Sequence, residues 1–295
     1  SIEMTKRKVI LISFISALGG LLFGFDTAVI SGTIRLVSNE FVLGVDLEGW
    51  FVSSAIVGCV IGVALAGVIS DFFGRKKILI ASAIFFTVSA IGCALAKSIT
   101  SLIIFRLVGG TGIGLASILS PMYIAELSPS KLRGRLVALY QLAITIGILS
   151  AYLSNSYIVN LFPQENEDVW RWMFATETVP ALLFLIMLIF IPESPRWLLS
   201  KNRIEEAKAI LYRYLHKDEA NNQVSYSILQ QKENRNIFEL LRNKSLLFLL
   251  FIGAALAAFS QLSGINAIIY FGPDILSNAG LTLSDSLGGQ VSIGI

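Results

Sequence analysis

The sequence predicts an all-α integral membrane protein. Three observations predict it: an apolar composition, seven long apolar runs, and basic residues gathered in alternate loops. Of the 295 residues 55% are apolar and 15% charged, and mean hydropathy is +0.73. Ordinary globular chains run at about 45–50% apolar and about 25% charged. So much apolar surface has no place inside a water-soluble chain of this size. The composition excludes a disordered chain, a disulfide-stapled secreted domain and a typical soluble enzyme.

A membrane-spanning helix needs about 20 mostly apolar residues. Seven runs qualify, at 9–34, 50–70, 78–96, 102–125, 136–158, 174–191 and 246–271, and an eighth begins near Ser284. The first is flanked by Lys6, Arg7 and Lys8, as a signal peptide is. Its apolar run is too long for a signal peptide and no small-residue cleavage pattern follows, so it is expected to be a retained span. Lysine and arginine concentrate on the cytoplasmic side of membrane proteins. With the N-terminus placed in the cytoplasm, 19 of the 23 basic residues fall in inside segments. Outside loops hold Arg35, Lys97 and Arg171, and Arg106 falls within the fourth span. The expected location is the cell (inner or plasma) membrane, multi-pass, with a cytoplasmic N-terminus.

One long hydrophilic stretch interrupts the spans. It divides the chain into a six-helix unit over 1–192, a linker over 193–245 and the start of a second transmembrane unit over 246–295. Within the linker, Ile204, Ala207, Ile210, Leu211 and Leu215 recur at helical spacing among Lys and Glu, which predicts a short amphipathic helix over 203–215. His216 reads as a solvated helix residue. Gly20 and Gly24, Gly58 with Gly62 and Ala66, and Gly110 and Gly114 sit four apart, the spacing that lets helix backbones approach closely. The run Gly109–Gly114 does not fit G-x-G-x-x-G and follows no strand, so helix packing is its reading rather than nucleotide binding. Cys59 and Cys93 lie in apolar runs without metal-ligand or disulfide spacing and read as small packing residues. No metal constellation, cofactor site or catalytic set is expected, nor any nucleic-acid partner.

Polar side chains inside the spans carry the functional signal. A carboxylate near the bilayer centre costs about 2.5–3.5 kcal/mol on insertion scales and is seldom kept without use. Asp26 sits deep in the first span and is a candidate for taking up and releasing protons. Arg106 opens the fourth span and is a candidate partner for Asp26. Gln141 in the fifth span, and Gln261, Asn266 and Tyr270 in the seventh, are neutral hydrogen-bonding groups of the kind a polyhydroxylated ligand needs. On one ideal helix Gln261 and Tyr270 lie about 900°, half a turn, out of phase. They face one cavity only if the helix breaks, and Gly264 and the Gly272–Pro273 pair allow a break.

At this point the motifs resemble a known family. GGLLFGFDTAVISG at 19–32 looks like the first helix of the sugar porter family of the major facilitator superfamily. DFFGRKK at 71–77 resembles its loop between helices two and three. RLVGGTGIG at 106–114, PMYIAELSP at 121–129 and Arg133-Gly134-Arg135 resemble helix four and the loop after it. PESPRWL at 192–198 resembles the signature after helix six, and QLSGINAIIY at 261–270 the helix-seven sugar motif. The nearest likeness is to the bacterial xylose–proton symporters.

The resemblance implies a major facilitator fold of which this chain holds the N-terminal six-helix half, helix seven and the start of helix eight. A fragment of a twelve-helix transporter is therefore expected. It further implies that Asp26 is the proton-coupling acid, where passive facilitators usually carry Asn, and that Arg106 is its charged partner. Phe23, Gln141, Gln261, Asn266 and Tyr270 match sugar-lining positions. Arg75, Glu126, Arg133, Glu193 and Arg196 match a cytoplasmic gate, whereas Lys76 and Lys77 read as simple anchoring charges. Ser260 and Ile148 stand where many relatives carry further sugar-contacting glutamines, which leaves the sugar open. The implied function is proton-coupled symport of a monosaccharide, pentose or hexose, by a monomer in the lipid bilayer. A passive sugar uniporter is the first rival, and a transporter-like sugar sensor the second.

Overall fold

A computed structural model describes residues 2–162, 168–215, 217, 220–225 and 244–294. His216 and the 226–243 part of the expected linker lie outside the described residues. Every described element is a helix.

Five long helices come first: α1 (Ile2–Phe41), α2 (Val45–Phe73), α3 (Arg75–Leu95), α4 (Ile99–Leu127) and α5 (Arg133–Leu161). Two shorter ones follow end to end, α6 (Val169–Thr176) and α7 (Thr178–Phe190), and together they make the sixth span. They part at Glu177 because Pro180 has no N–H for the carbonyl of Thr176. The sixth span therefore starts earlier than the apolar run suggests and is broken once. The short α8 (Pro195–Ser200) and the amphipathic α9 (Ile204–Tyr214) come next. Trp197, Leu198 and Leu199 of α8 pack against Ala207 and Leu211 of α9, so the expected apolar stripe has a partner. The seventh span is α10 (Lys244–Leu262) followed by α11 (Ile265–Asn278), and α12 (Leu283–Gly294) closes the described chain. Among the described residues, seven spans are long and apolar enough to cross a membrane, in the places the sequence predicts.

The first unit is held by close backbone approach. α1 lies along α5, α2 along α4, and α3 on α4. A Cβ on Gly110 would sit 2.0 Å from the carbonyl oxygen of Ala55, and one on Gly114 2.2 Å from that of Cys59. Facing them on α2, a Cβ on Gly58 would sit 2.2 Å from the carbonyl of Leu107, and one on Gly62 2.3 Å from that of Thr111. The α1–α5 seam repeats this, with Gly24 against Ile144 and Gly147 against Leu21. Between lipid tails and apolar side chains there is no hydrophobic driving force, so such van der Waals contact carries the association.

The two ends of the bundle differ. At the basic end, α8 and α9 cover the helix ends. At the far end, Arg171 donates to Glu40 at 2.9 Å and its guanidinium lies 4.2 Å from the Trp170 ring centroid. Among the described residues, three hydrogen bonds join α11 and α12 to the first unit, all at mid-depth or toward the far end. They are Arg35 to Ser277, Tyr152 to the Ile269 carbonyl at 3.4 Å, and Ser284 to Asn160 at 2.7 Å. By contrast α10, which starts at the basic end, buries no residue.

Candidate functional site

Asp26 lies mid-way along α1, on the face turned toward α4, and is 3% exposed. Arg106 reaches it from α4, where Gly109 and Gly110, about one turn on, let α3 and α2 close in. Arg106 Nη1 donates to Asp26 Oδ1 at 3.3 Å, and Arg106 is 2% exposed. The guanidinium also faces the rings of Phe174 at 5.7 Å and Phe51 at 6.0 Å. Among the described residues it meets one carboxylate oxygen and two aromatic faces, while its buried Nε has no hydrogen-bond partner. Asp26 Oδ2 accepts nothing from the described residues. A buried ion pair with one free oxygen is poised to change: a proton on the carboxylate removes the attraction that holds the guanidinium.

A cavity of about 270 Å³ opens beside this pair, and Asp26 and Arg106 both line it. Phe23 and Thr27 extend the α1 wall, and Gln261, Asn266 and Tyr270 face them. The seventh span delivers all three of those residues because it is broken. α10 stops at Leu262, and Gly264 takes a left-handed φ of +79°, which restarts the chain as α11 in a new direction. The break falls at Gly264, while Gly272 and Pro273 stay inside α11. Asn266 Nδ2 donates to Gln261 Oε1 at 2.6 Å across the break. That leaves the Gln261 amide N–H₂ and the Asn266 carbonyl oxygen to bind a ligand, one donor and one acceptor side by side. Gln141 is not brought into this cavity. It stands exposed on α5 next to the buried Tyr140. Ile148 packs in the core near α1, and Ser260 is exposed on α10.

The second constellation lies at the basic end. Arg75 starts α3 and pairs with Asp71 at 2.7 Å and with Glu126 of α4 at 3.4 Å. Glu193 reaches the same turn through the backbone. Its Oε1 accepts from the backbone N–H of Arg75 at 2.9 Å and of Lys76 at 3.0 Å, so the carboxylate caps the N-terminus of α3. Gly74, at φ +99°, makes that approach possible, since a Cβ there would sit 2.3 Å from Glu193 Oε2. Ser194 donates to Glu126, and Trp197 Nε1 donates to the Asp71 carbonyl at 3.0 Å. Lys76 Nζ donates to the carbonyl of Ile189 at 2.8 Å. Arg133 and Arg196 are exposed, on α5 and α8.

A family profile described as "Sugar (and other) transporter" matches residues 12–295. The chain belongs to this family. The D-xylose-proton symporter of Escherichia coli (strain K12) is 37% identical over 315 residues, covering 96% of this chain and 63% of that protein. The arabinose-proton symporter of Bacillus subtilis (strain 168) is 42% identical over 284 residues, covering 92% of this chain and 59% of that protein. The chain thus spans less than two thirds of the length of these relatives. Among solved structures, the partially occluded inward open conformation of the xylose transporter XylE from E. coli superposes with a TM-score of 0.86 at 36% identity. That superposition covers 97% of this chain and 70% of the other. The fold is that of the major facilitator superfamily.

Several residues of this sugar transporter family member escape a reading by sequence. Glu177, 1% exposed at the α6–α7 break, has an Oε1 with no partner among the described residues. It stands one turn from Phe174, which packs on Arg106. The insertion cost that singles out Asp26 applies equally to Glu177, so the signal was there. Cys59 lines the cavity beside Asp26 instead of only filling space, whereas Cys93 is buried. Asp71, Ser194 and Trp197 complete the basic-end cluster, and only their motif neighbours pointed to them.

Proposed function

We propose that this protein moves a monosaccharide together with a proton across the cell membrane by alternating access, with its N-terminus in the cytoplasm. The observation that carries the proposal is one cavity whose lining combines the buried Asp26–Arg106 pair with the amides and ring of Gln261, Asn266 and Tyr270. The relatives named above are described as D-xylose and arabinose symporters that use protons, and they support the same reading.

The sequence of events follows from the groups present. A proton from outside reaches the free oxygen of Asp26 and neutralises it. Arg106 loses its ionic partner and leans on Phe174 and Phe51. The sugar binds between the halves, its hydroxyls meeting Gln261 and Asn266 and its C–H face meeting Tyr270 and Phe23. Gln141 of α5 joins from the wall that moves. The halves then rock, the bonds of Arg35, Tyr152 and Asn160 close the outer side, and sugar and proton leave toward the basic end. Arg75, Glu126, Glu193, Arg133 and Arg196 act at that end as the inner gate. No cofactor takes part, and the proton gradient supplies the work. The protein acts as a monomer.

Symport is favoured over passive uniport by the single carboxylate at Asp26, since a facilitator has no need of an ionisable group in the cavity wall. The test is external pH in energised vesicles carrying the protein from its natural open reading frame, on addition of D-xylose, arabinose, glucose or galactose. Alkalinisation by one sugar, lost in Asp26→Asn, is the expected result. Sugar equilibration without any pH change would make it a uniporter.

A further inference from the structure

α11 carries a proline in its interior, yet it stays helical and keeps two cavity residues in place. Pro273 has no N–H, so the carbonyl of Ile269, four residues back, loses its helical partner. The proline ring also crowds the adjoining turn. Inside a membrane such a carbonyl needs a donor from elsewhere.

The donor comes from α12. Gln290, 0% exposed, sends its Nε2 to the carbonyl of Ile268 at 3.0 Å and to that of Ile269 at 3.4 Å. The space for it comes from Gly272, where a Cβ would sit 1.9 Å from Gln290 Oε1. Gly272, Pro273 and Gln290 therefore form one joint: a gap, a freed carbonyl and an amide that fills both. From the first unit, the Tyr152 hydroxyl donates to the same Ile269 carbonyl at 3.4 Å. Tyr270, the next residue, lines the cavity, and Asn266 lies one turn back.

We propose that Gln290 is a positioning residue for the cavity: its amide holds the proline-relaxed α11 so that Asn266 and Tyr270 stay on the cavity wall. Its consequence for sugar binding rests on the transport reading above; the clamp itself does not. Gln290 is not among the residues that line the cavity; it meets α11 and, on the other side, the Tyr152 hydroxyl of α5, so it acts on the cavity through α11 and not by contact with a ligand. If Pro273 creates the need, an alanine there, which restores the N–H, removes it.

The experiment uses the protein from its natural open reading frame in lipid nanodiscs, with two readouts. One is hydrogen exchange across 265–278, and the other is binding of D-xylose, arabinose and glucose. Gln290→Leu is expected to raise exchange in 265–278 about tenfold and leave α2 to α4 unchanged, and to weaken sugar binding about tenfold. Adding Pro273→Ala is expected to restore both. Gly272→Ala, which displaces the amide, is expected to act like Gln290→Leu and serves in its place where that variant does not fold. Unchanged exchange in both variants, or a double variant no better than the single, would overturn the proposal. Raised exchange with unaltered sugar affinity would overturn the positioning of Asn266 and Tyr270. A wild type that binds none of the sugars, with the exchange effect and its rescue present, would support the clamp and remove the sugar reading of the cavity.

Discussion

Asp26 and Arg106 illustrate how a single buried charge sets chemistry. Neither residue is tolerable alone in an apolar bundle, and each makes the other possible at 3.3 Å. Asp26→Asn keeps the shape and one hydrogen-bond acceptor while abolishing the ionisable group. It is expected to lose uphill accumulation by at least about a hundredfold, because the neutral side chain no longer exchanges a proton, while sugar counterflow continues. Sugar-driven proton uptake that persists in this variant would refute the role. Gln261 and Asn266 spend one hydrogen bond on each other and keep the rest for a ligand. Gln261→Ala and Asn266→Ala are each expected to weaken sugar binding by about 1–3 kcal/mol, roughly 5- to 150-fold. Gln141→Ala is expected to cost less, since Gln141 stands outside the described cavity wall. Isothermal titration on the three variants orders them, and equal losses would place Gln141 on the same footing as the other two.

Among the elements, the α2–α4 seam and the broken seventh span matter most, and glycine decides both. At the seam it removes volume. Gly110→Val puts a side chain where only 2.0 Å separates the first added carbon from the Ala55 carbonyl, so the helices must part. That parts the backbone around Arg106 as well, four residues away. A loss of about 3 kcal/mol or more is expected, read as a lower unfolding temperature in detergent and a weaker yield of folded protein. Gly67, with nothing within 4 Å of its Cβ position, serves as the control, and Gly67→Val is expected to be near neutral. At Gly264 glycine instead supplies conformation, a φ of +79° that side chains resist. This turn is what lets residues half a helical turn apart share one wall.

At the scale of the whole molecule, the two ends of the bundle are held by different chemistry. The far end is tied across the units by hydrogen bonds that Arg35 and Tyr152 donate and one that Asn160 accepts from Ser284. The basic end is a cluster within the first unit, from which α10 stands apart with no buried residue. A protein that alternates between two openings needs each end to close and release in turn. Glu193 caps α3 and holds the α2–α3 turn to the start of α8. Glu193→Ala is expected to slow transport severalfold while cavity affinity for sugar stays within about twofold, at a stability cost of about 1–2 kcal/mol for the lost cap. Uptake rates beside binding constants check this. A variant that binds sugar poorly but transports at full speed at saturation would place Glu193 in the site and not at the gate.

The seven spans and the exceptional standing of Asp26 and Arg106 follow from local properties. Hydropathy over about 20 residues and the cost of one buried charge act wherever the helix is placed, so they can be read along the chain. The need for a break in the seventh span is also legible, because helical phase forbids Gln261 and Tyr270 from sharing a face. Which glycine breaks it is not, since Gly264 and Gly272–Pro273 satisfy the same phase argument. Tertiary packing resolves that choice: Gln290 of α12 supports the helix at Pro273, whereas at Gly264 the left-handed φ ends α10 and only a local Asn266–Gln261 side-chain bond is described across the break. The same holds for Glu193, which resembles a charge in a network and turns out to be a cap on backbone N–H groups 117 and 118 residues away. It holds too for Gln141, whose polar character is plain but whose facing is not; Glu177, by contrast, is open to the same insertion-cost argument as Asp26. Partners so distant in sequence depend on the rotation of each helix about its axis and on how closely its neighbours approach. Those are properties of the packed bundle, and no single span contains them.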